Sequence, residues 1–406
     1  MGRARVVSGH SRTVAGCGCI AGATSVQLPQ VGHTGHVSDR NAPESLPYDA
    51  ILVVSFGGPE GPDDVLPFME NVTRGRGISK ERLVEVSRHY DLFGGVSPIN
   101  GQNRALIAAL ESALAAEGPA LPVYWGNRNW APMLDDTIRT MRADGVQRTL
   151  AFVTSAFSSY SGCRQYREDI ERARLAVGEG APVVDKLRVF YDHPGFIEPM
   201  VDNVLGAVDR LESTGAGASH LAFTAHSIPM SMASTSDYVA QLGEAQRLIS
   251  ERVFARTGRT FPAELVFQSR SGAPGQPWLE PDVGDHLERL AGEGATGVVL
   301  VPVGFISDHM EVVYDLDTQA AERAVGLGLP IRRAATVGTD PRFVAMIRAL
   351  IIERIDVEAG RAPVRLGLGV RGPNPDVCRG DCCPVPARPP AGLPAGIAGG
   401  PSSRPA

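Results

Sequence analysis

Long apolar runs and a surplus of basic residues are both missing from this chain. The longest apolar stretch, from Val298 to Ile306, is interrupted by Pro302 and Gly304. It is far shorter than the roughly 20 residues that a membrane-spanning helix needs. Lysine and arginine total 39 against 45 acidic residues, and they are dispersed among the acids. We therefore expect no membrane span and no nucleic acid partner.

A phosphate-binding loop is missing as well. No Gly-x-Gly-x-x-Gly follows the first strand-like segment, where Phe56-Gly57-Gly58-Pro59 stands instead. Pro59 occupies a position at which a phosphate-binding helix would need a free amide. A nucleotide site is therefore not expected after this strand.

The first 47 residues contain almost no acid. Arg3, Arg5 and Arg12 occur there, and the first acidic residue is Asp39. No apolar block resembles a secretory signal, so we interpret residues 1–47 as a disordered extension of a cytoplasmic protein. A transit peptide and an over-extended start of translation are the alternatives. In each case Cys17 and Cys19 have no expected function.

Short apolar segments alternate with amphipathic ones from residue 50 onward, which predicts a parallel α/β fold. The predicted strands are Ala50 to Phe56, Pro122 to Gly126, Thr149 to Thr154, Leu187 to Tyr191, Leu221 to Ala225, Glu264 to Gln268 and Val298 to Val303. At 406 residues the chain accommodates two α/β domains, which we place at 48–195 and 196–335. A helix over 336–355 that packs back on the core and an irregular tail over 356–406 complete this prediction.

Polar groups follow two of these strands, where ligands of such folds bind. His226 ends the segment Leu221 to Ala225. Glu311, Asp315 and Gln319 follow Val298 to Val303 at spacings that, in an α-helix, place side-chain oxygens on one face about 6 Å apart. One imidazole and one carboxylate suit a borderline divalent metal such as ferrous iron. Taken separately, a structural histidine and a solvated acidic face explain these residues better.

The order of the motifs indicates a family. Five stretches occur in sequence: Val54-Ser55-Phe56-Gly57-Gly58-Pro59-Glu60, Tyr90-Asp91-Leu92-Phe93-Gly94-Gly95-Val96-Ser97-Pro98-Ile99, Phe223-Thr224-Ala225-His226-Ser227-Ile228-Pro229, Phe267-Gln268-Ser269-Arg270 with Pro277-Trp278-Leu279-Glu280-Pro281, and Asp308-His309-Met310-Glu311. Together they resemble the ferrochelatases, which insert iron into porphyrins. The resemblance spans roughly residues 48–355. It implies a chelatase-like fold of two similar Rossmann-like domains, each a doubly wound parallel sheet.

The resemblance also implies roles for the residues at the strand ends. His226 corresponds to the family's imidazole, as proton acceptor or first iron ligand, and Glu311 to the opposed carboxylate. Asp315 follows as an outer metal position. Related enzymes commonly have a further acid where this chain has Gln319, which weakens the expected path for ferrous iron, the metal substrate. Asp308 and His309 are expected to position the pair, although Asp308 equally suits a helix cap.

Further residues correspond to porphyrin contacts in the family. Phe56 is expected to face the metal from the side opposite His226, and Ser97 and Tyr166 to contact the porphyrin through their hydroxyls. Arg74 and Arg76 lie in a basic loop suited to binding the porphyrin carboxylates. Four residues are candidates for the apolar walls of the pocket, although plain core is the commoner role for such side chains: Phe93, Trp125, Met230 and Met232.

Four cysteines can be grouped from the sequence. Cys378, Cys382 and Cys383 lie within six residues of the tail, and Cys163 lies at the start of a predicted helix. Four thiolates suit a 2Fe-2S cluster, a zinc ion or two disulfides, and disulfides are not expected in a reducing cytoplasm. Similarity to actinobacterial ferrochelatases, which have one internal and three carboxyl-terminal cysteine ligands, implies the 2Fe-2S cluster.

Porphyrin and ferrous iron are accordingly the expected substrates. The actinobacterial likeness favours coproporphyrin III, with protoporphyrin IX as the alternative, and suggests transient contact with neighbouring haem-pathway enzymes. Two other functions compete with this one. The first is a haem-binding or porphyrin-binding protein without turnover, against which the intact His226 and Glu311 argue. The second is a cobalt or nickel chelatase, which would be expected to have additional histidines in place of the acidic residues.

Overall fold

The computed structural model describes residues 46–75, 78–271 and 275–386, and it contains two four-stranded parallel sheets. The strands of the first sheet are β1 (Ala50–Ser55), β2 (Val123–Asn127), β3 (Arg148–Val153) and β4 (Val183–Lys186). Those of the second are β5 (His220–His226), β6 (Ala263–Gln268), β7 (Val298–Val301) and β8 (Ile331–Arg333). The strand orders are β2-β1-β3-β4 and β6-β5-β7-β8, so the two halves repeat one topology. The predicted fold class is confirmed.

Helices connect the parallel strands, as crossover connections require. The first half contains α1 (Pro62–Val72), α2 (Lys80–Asp91), α3 (Ile99–Glu117), α4 (Leu134–Ala143) and α5 (Gln165–Val177). The second half contains α6 (Pro194–Glu212), α7 (Met230–Ala233), α8 (Tyr238–Thr257), α9 (Val283–Gly292), α10 (Met310–Val313), α11 (Ala321–Gly326) and α12 (Pro341–Glu358). Two short segments are π-helical, Tyr160–Arg164 and Asp315–Ala320.

The central strands are buried on both faces because helices cover both sides of each sheet. Every residue of β1 is buried, and so is every residue of β7. One continuous apolar cluster includes Ile51 of the first sheet and Phe223 of the second. The last helix, α12, packs against both α3 and α6, so it joins a helix of the first half to one of the second.

The fourth strand does not lie where the apolar pattern predicted it. Leu187 to Tyr191 forms no strand, although the Leu187 amide still donates to the carbonyl of Ala151 at 2.9 Å, and β4 is the more polar segment before it. Leu187 and Tyr191 are nevertheless buried in the main core cluster. Burial against helices, and not strand pairing, therefore explains the apolar character of this segment.

No helix in the described ranges has both the length and the apolar character needed to cross a bilayer.

A buried histidine at the start of α6 makes stability depend on pH. His193 is 5% exposed, and its Nδ1 accepts a hydrogen bond from the Gly195 amide at 3.0 Å. Burial, aided by the charge of Arg188, lowers the pKa of His193 to about 4, below the value of about 6.5 expected in the unfolded chain. Between these values the unfolded chain binds more protons, so the free energy of unfolding falls as pH falls through this window.

We expect His193→Asn to reduce that pH dependence, because asparagine also caps helices but does not titrate. The contribution of this one group approaches a slope of about 1.4 kcal/mol per pH unit. Urea denaturation of both proteins at several pH values between 4 and 6.5 measures it. An unchanged slope in the variant would show that His193 is not a source of the dependence.

Candidate active site

The site lies where the strand order of the second sheet reverses. β5 and β7 pair with each other in parallel at the centre of the sheet, and β6 and β8 are the outer strands. Such a reversal leaves a crevice at the carboxyl ends of the two central strands, where ligands bind in doubly wound folds. His226 is the last residue of β5, and the chain leaving β7 leads to Glu311 in α10. The topology therefore explains why these two residues meet although they are 85 positions apart in the sequence.

His226 and Glu311 are in direct contact. His226 Nε2 lies 3.2 Å from Glu311 Oε1, and the two side chains are 31% and 44% exposed. On the other side of the ring, Nδ1 donates a hydrogen bond to the carbonyl of Ser227. Because the two groups touch, a flat ring cannot lie between them, and both must face any bound macrocycle from the same side.

Each group shifts the pKa of the other. Burial lowers the pKa of His226, but the Glu311 carboxylate outweighs this effect and raises that pKa to about 9. Burial raises the pKa of Glu311, but the imidazolium outweighs it in turn, and the pKa falls to about 2. Near neutral pH the pair is therefore an imidazolium and a carboxylate.

Asp315 lies one turn further on, where α10 is followed by the π-helical segment Asp315–Ala320. The Gln319 amide donates to the carbonyl of Tyr314 at 2.9 Å, which is the five-residue spacing of a π-helix. The prediction that Glu311, Asp315 and Gln319 lie on one face of a regular α-helix is therefore wrong. Ser269 donates a hydrogen bond to the Asp315 carboxylate. Burial nevertheless raises the pKa of Asp315 to about 7, and the nearby charge of Glu311 acts in the same direction.

Asp308 and His309 hold the loop before Glu311. His309, and not Asp308, caps α10, because its Nδ1 accepts the Glu311 amide at 3.2 Å. The ring of His309 also packs edge-on against Phe305 at 4.9 Å. Asp308 forms an ion pair with Arg333 at 3.0 Å. The capping alternative for Asp308 is therefore wrong, and the contacts of both residues are those of supports for the loop.

Three further residues surround the pair and were not assigned a role from the sequence. Tyr238 donates a hydrogen bond to the carbonyl of His226 at 3.1 Å, and Gln268 donates to the carbonyl of Glu311. Burial and the nearby charges of Glu311 and Asp315 raise the pKa of Tyr90, so its hydroxyl stays protonated. Tyr90 and Gln268 lie inside the family motifs, and that position is the one signal that pointed to them.

The first half of the chain also reaches this site. The rings of His89 in α2 and Tyr314 are stacked, with centroids 4.0 Å apart. Gln102 of α3 accepts a hydrogen bond from the Asp308 amide at 2.8 Å. The segment from Asp308 to Asp315, which contains Glu311, is therefore in contact with both halves of the protein.

Phe56 and Tyr166 are brought together by a buried arginine. The Arg128 guanidinium lies 5.9 Å from the Phe56 ring centre and 4.5 Å from that of Tyr166. Phe56 is 36% exposed just after β1, whereas Tyr166 is 5% exposed. Arg128 is held by Asp169 at 2.7 Å. The role of Arg128 could not be predicted from the sequence, because a single arginine within a loop gives no signal of burial.

The remaining residues predicted to contact the porphyrin lie in different elements of the structure. Ser97 is buried beside Gly58, where an added Cβ would lie 2.7 Å from the Cβ of Ser97. Arg74 is exposed in the turn after α1, and Arg76 lies outside the described residues. The four wall candidates differ in exposure, with Met230 the most open at 43% and Phe93, Trp125 and Met232 half-buried.

The family model for ferrochelatases matches residues 48–355. The chain belongs to the ferrochelatase family. This confirms the predicted resemblance and supports the predicted activity as a porphyrin metal chelatase.

Curated relatives agree over nearly their whole length. The coproporphyrin III ferrochelatase of Streptomyces griseus subsp. griseus is 56% identical over 361 residues, covering 86% of this chain and 96% of the relative. That of Streptomyces coelicolor is 54% identical with the same coverage. The ferrochelatase of Rhodopirellula baltica is 52% identical over 349 residues, covering 86% of this chain and 97% of the relative.

In this ferrochelatase the four predicted cysteines come together as two pairs. Cys163, 3% exposed in the first π-helical turn, lies within hydrogen-bonding reach of Cys378. Cys382 Sγ lies 3.6 Å from Cys383 Sγ. Across the described ranges, no three histidine, cysteine or acidic side chains are arranged as a ready metal-binding group.

Positive charge surrounds the internal cysteine of this ferrochelatase. The hydrogen bond with Cys378 lowers the pKa of Cys163 to about 5; burial opposes this shift, and Lys186 and Arg167 add to it. Arg164 Nη1 donates to the carbonyls of Gly380 and Cys382, at 3.1 and 3.3 Å. The tail is thus tied to the turn that contains Cys163.

Proposed function

We propose that this chain inserts ferrous iron into coproporphyrin III during haem biosynthesis. The observation on which this rests is the contact of His226 with Glu311 at the carboxyl ends of the central strands, in a crevice open to solvent. The names of the two Streptomyces relatives support coproporphyrin III over protoporphyrin IX. We place the reaction in the cytoplasm, with transient contact to the enzymes that precede and follow it.

The charges of the pair suggest an order of events. Two pyrrole protons must leave the ring as iron enters, so a base and a metal-guiding group are both needed. In the resting state His226 holds a proton because Glu311 stabilises it. When ferrous iron binds to Glu311, the metal takes the place of the imidazolium as counter-ion. His226 then releases its extra proton to solvent and becomes the base that accepts the two pyrrole protons, one after the other.

Asp315 suits the transfer of these protons to solvent. Its pKa of about 7 lets it exist in both states near neutral pH, and the Ser269 hydroxyl fixes its orientation. Gln319 adds no charge, so Asp315 is the outer metal position of the proposed path. Arrival of iron at Asp315 and departure of a proton from it are thereby coupled.

The porphyrin would be bound by the residues around β1. Phe56, which offers no ligand atom, faces the metal from the side opposite His226 in this proposal. Ser97 and Tyr166 contact the ring, and Arg74 and Arg76 bind its carboxylates. The exposure of Phe56 and Arg74 is compatible with these roles.

An anaerobic assay with ferrous iron and each porphyrin in turn tests the function. We expect steady metal insertion with coproporphyrin III and a value of kcat/KM at least tenfold lower with protoporphyrin IX. The appearance of the metalloporphyrin is followed by absorbance. Binding of either porphyrin without turnover would instead identify a haem-binding or porphyrin-binding protein.

We further propose that Cys163, Cys378, Cys382 and Cys383 hold a 2Fe-2S cluster. The four thiols lie close together, Cys163 beside Cys378 and Cys382 beside Cys383, and four cysteine ligands are what a 2Fe-2S cluster takes. The cations near Cys163 suit the negative charge of a thiolate-bound cluster. When bound, the cluster would supply a structural link between the tail and α5.

We expect the protein purified without oxygen to be coloured, and Cys383→Ser to lose both the visible absorbance and the iron bound in addition to substrate. Cys17→Ser serves as the control, because no function is expected of that residue. Absorbance spectra and metal analysis of both variants give the answer. A colourless wild-type protein with one zinc per chain would contradict the proposal.

A further inference from the structure

A second cavity lies apart from the active site, beside the cysteine segment. Its volume is about 410 Å³, and it lies between α5, β4 with the residues that follow it, and the tail. Asn374, Asp376 and Gly380 form the tail wall, and Cys378 is the one thiol of the four that lines it. The cavity is therefore adjacent to the four cysteines but distinct from the space among them.

Two cations without a carboxylate partner among the described residues and one unsatisfied arginine donor line this cavity. Arg167 makes no ion pair or side-chain hydrogen bond with any described residue, although it lies close enough to Cys163 to lower that thiol's pKa. Lys186 bonds the carbonyl of Leu187 at 3.0 Å, and no described carboxylate pairs with it. Arg188, another lining residue, is paired with Glu353 at 2.7 Å and has a side chain that is 1% exposed, but its buried Nη1 has no hydrogen-bond partner in the described chain.

The acids of the same walls are already engaged. Asp376 pairs with Arg365, and Asp185 pairs with Arg148 at 2.5 Å. Glu168 pairs with Arg164 at 2.9 Å, and Glu171 with Arg174 at 2.6 Å. Because these carboxylates have partners of their own, they neutralise neither Arg167 nor Lys186, and they leave Nη1 of Arg188 without an acceptor. A buried donor without a partner is costly, so an acceptor that bonds it is stabilised there.

We propose that this cavity binds a small anion bearing carboxylate or phosphate groups. Cavities of about 300–1,000 Å³ suit small-molecule ligands, and arginine and lysine are the side chains that recognise such groups. A ligand here would touch α5 on one side and the tail on the other. Its binding would therefore hold the segment around Cys378 against the body of the protein.

Calorimetry of the intact protein with inorganic phosphate, and separately with citrate, tests the proposal, with sodium chloride at equal ionic strength as the reference. We expect saturable one-to-one binding of at least one of the two anions, and slower trypsin cleavage after the exposed Arg379 when it is bound. Tighter binding of citrate would indicate that the natural ligand is an organic polycarboxylate. Tighter binding of phosphate would indicate that it is inorganic phosphate.

Arg167→Ala is expected to weaken that binding at least tenfold. Arg172→Ala is the matched control, because it removes an equal charge from an exposed site on the same helix outside the cavity, and it should change binding by less than twofold. Circular dichroism and visible absorbance establish that both variants keep the fold and any chromophore. Absence of saturable heat with both anions, or equal weakening in the two variants, would overturn the proposal.

Discussion

Replacing Glu311 with glutamine is expected to lower kcat for iron insertion by about 10²–10³-fold, the range that removal of one electrostatic catalytic group produces. Glutamine keeps the size of the side chain but removes the charge that touches His226. Iron then loses its guiding carboxylate, and the imidazole loses the group that raises its pKa. Anaerobic turnover with coproporphyrin III measures the first effect, and NMR titration of His226 measures the second.

The matched control is Glu322→Gln, an exposed carboxylate in α11 on the same segment. Its turnover should stay within twofold of that of the wild-type protein. Porphyrin binding, followed by absorbance, should be preserved in both variants, which separates lost chemistry from lost binding. If Glu311→Gln retained kcat within tenfold of the wild type, Glu311 could not have the role proposed for it.

Replacing Glu353 with glutamine is expected to have the largest effect on stability. Arg188 and Glu353 form a two-point ion pair, at 2.7 and 3.0 Å, with side chains that are only 1% and 8% exposed. Removing one partner leaves the other charge buried and uncompensated, which costs about 3–5 kcal/mol. The free energy of unfolding should fall by that amount, as measured by urea denaturation.

Two variants calibrate this expectation. Glu251→Gln breaks an ion pair with Arg247 whose side chains are 57% and 40% exposed, and it should cost less than about 1 kcal/mol. The double variant Arg188→Met with Glu353→Leu removes both charges and should recover much of the loss. Equal losses in the buried and exposed single variants would mean that burial does not set the energy of this pair.

The sequence predicted the two sheets because their central strands are buried on both faces. Six of the eight strands in the described ranges coincide with predicted apolar runs, as β1 and β7 illustrate. β8, with the sequence Ile-Arg-Arg, has no such pattern because it is a short edge strand. The segment Leu187 to Tyr191 was misread because an apolar segment can be buried without pairing.

The pairing of His226 with Glu311 could be anticipated, because both follow strands that a doubly wound topology makes adjacent. The π-helical turn at Asp315 could not, since the i, i+4 spacing of acids looks the same whether or not the helix adopts α geometry. The position of the buried Arg128 could not be predicted from the sequence either. Its position depends on Phe56, Tyr166 and Asp169, which only the tertiary structure brings together.

The place of α12 has a consequence for how the protein matures. This helix covers apolar surface of both α3 and α6, yet it is made of residues 341–358, near the end of the described chain. When the ribosome has synthesised the first 340 residues, all strands of both sheets are present, but α12, which packs against α3 and α6, is not. The nascent polypeptide therefore exposes that surface until residues 341–358 have emerged and folded, and this is the interval in which a chaperone would protect it from aggregation.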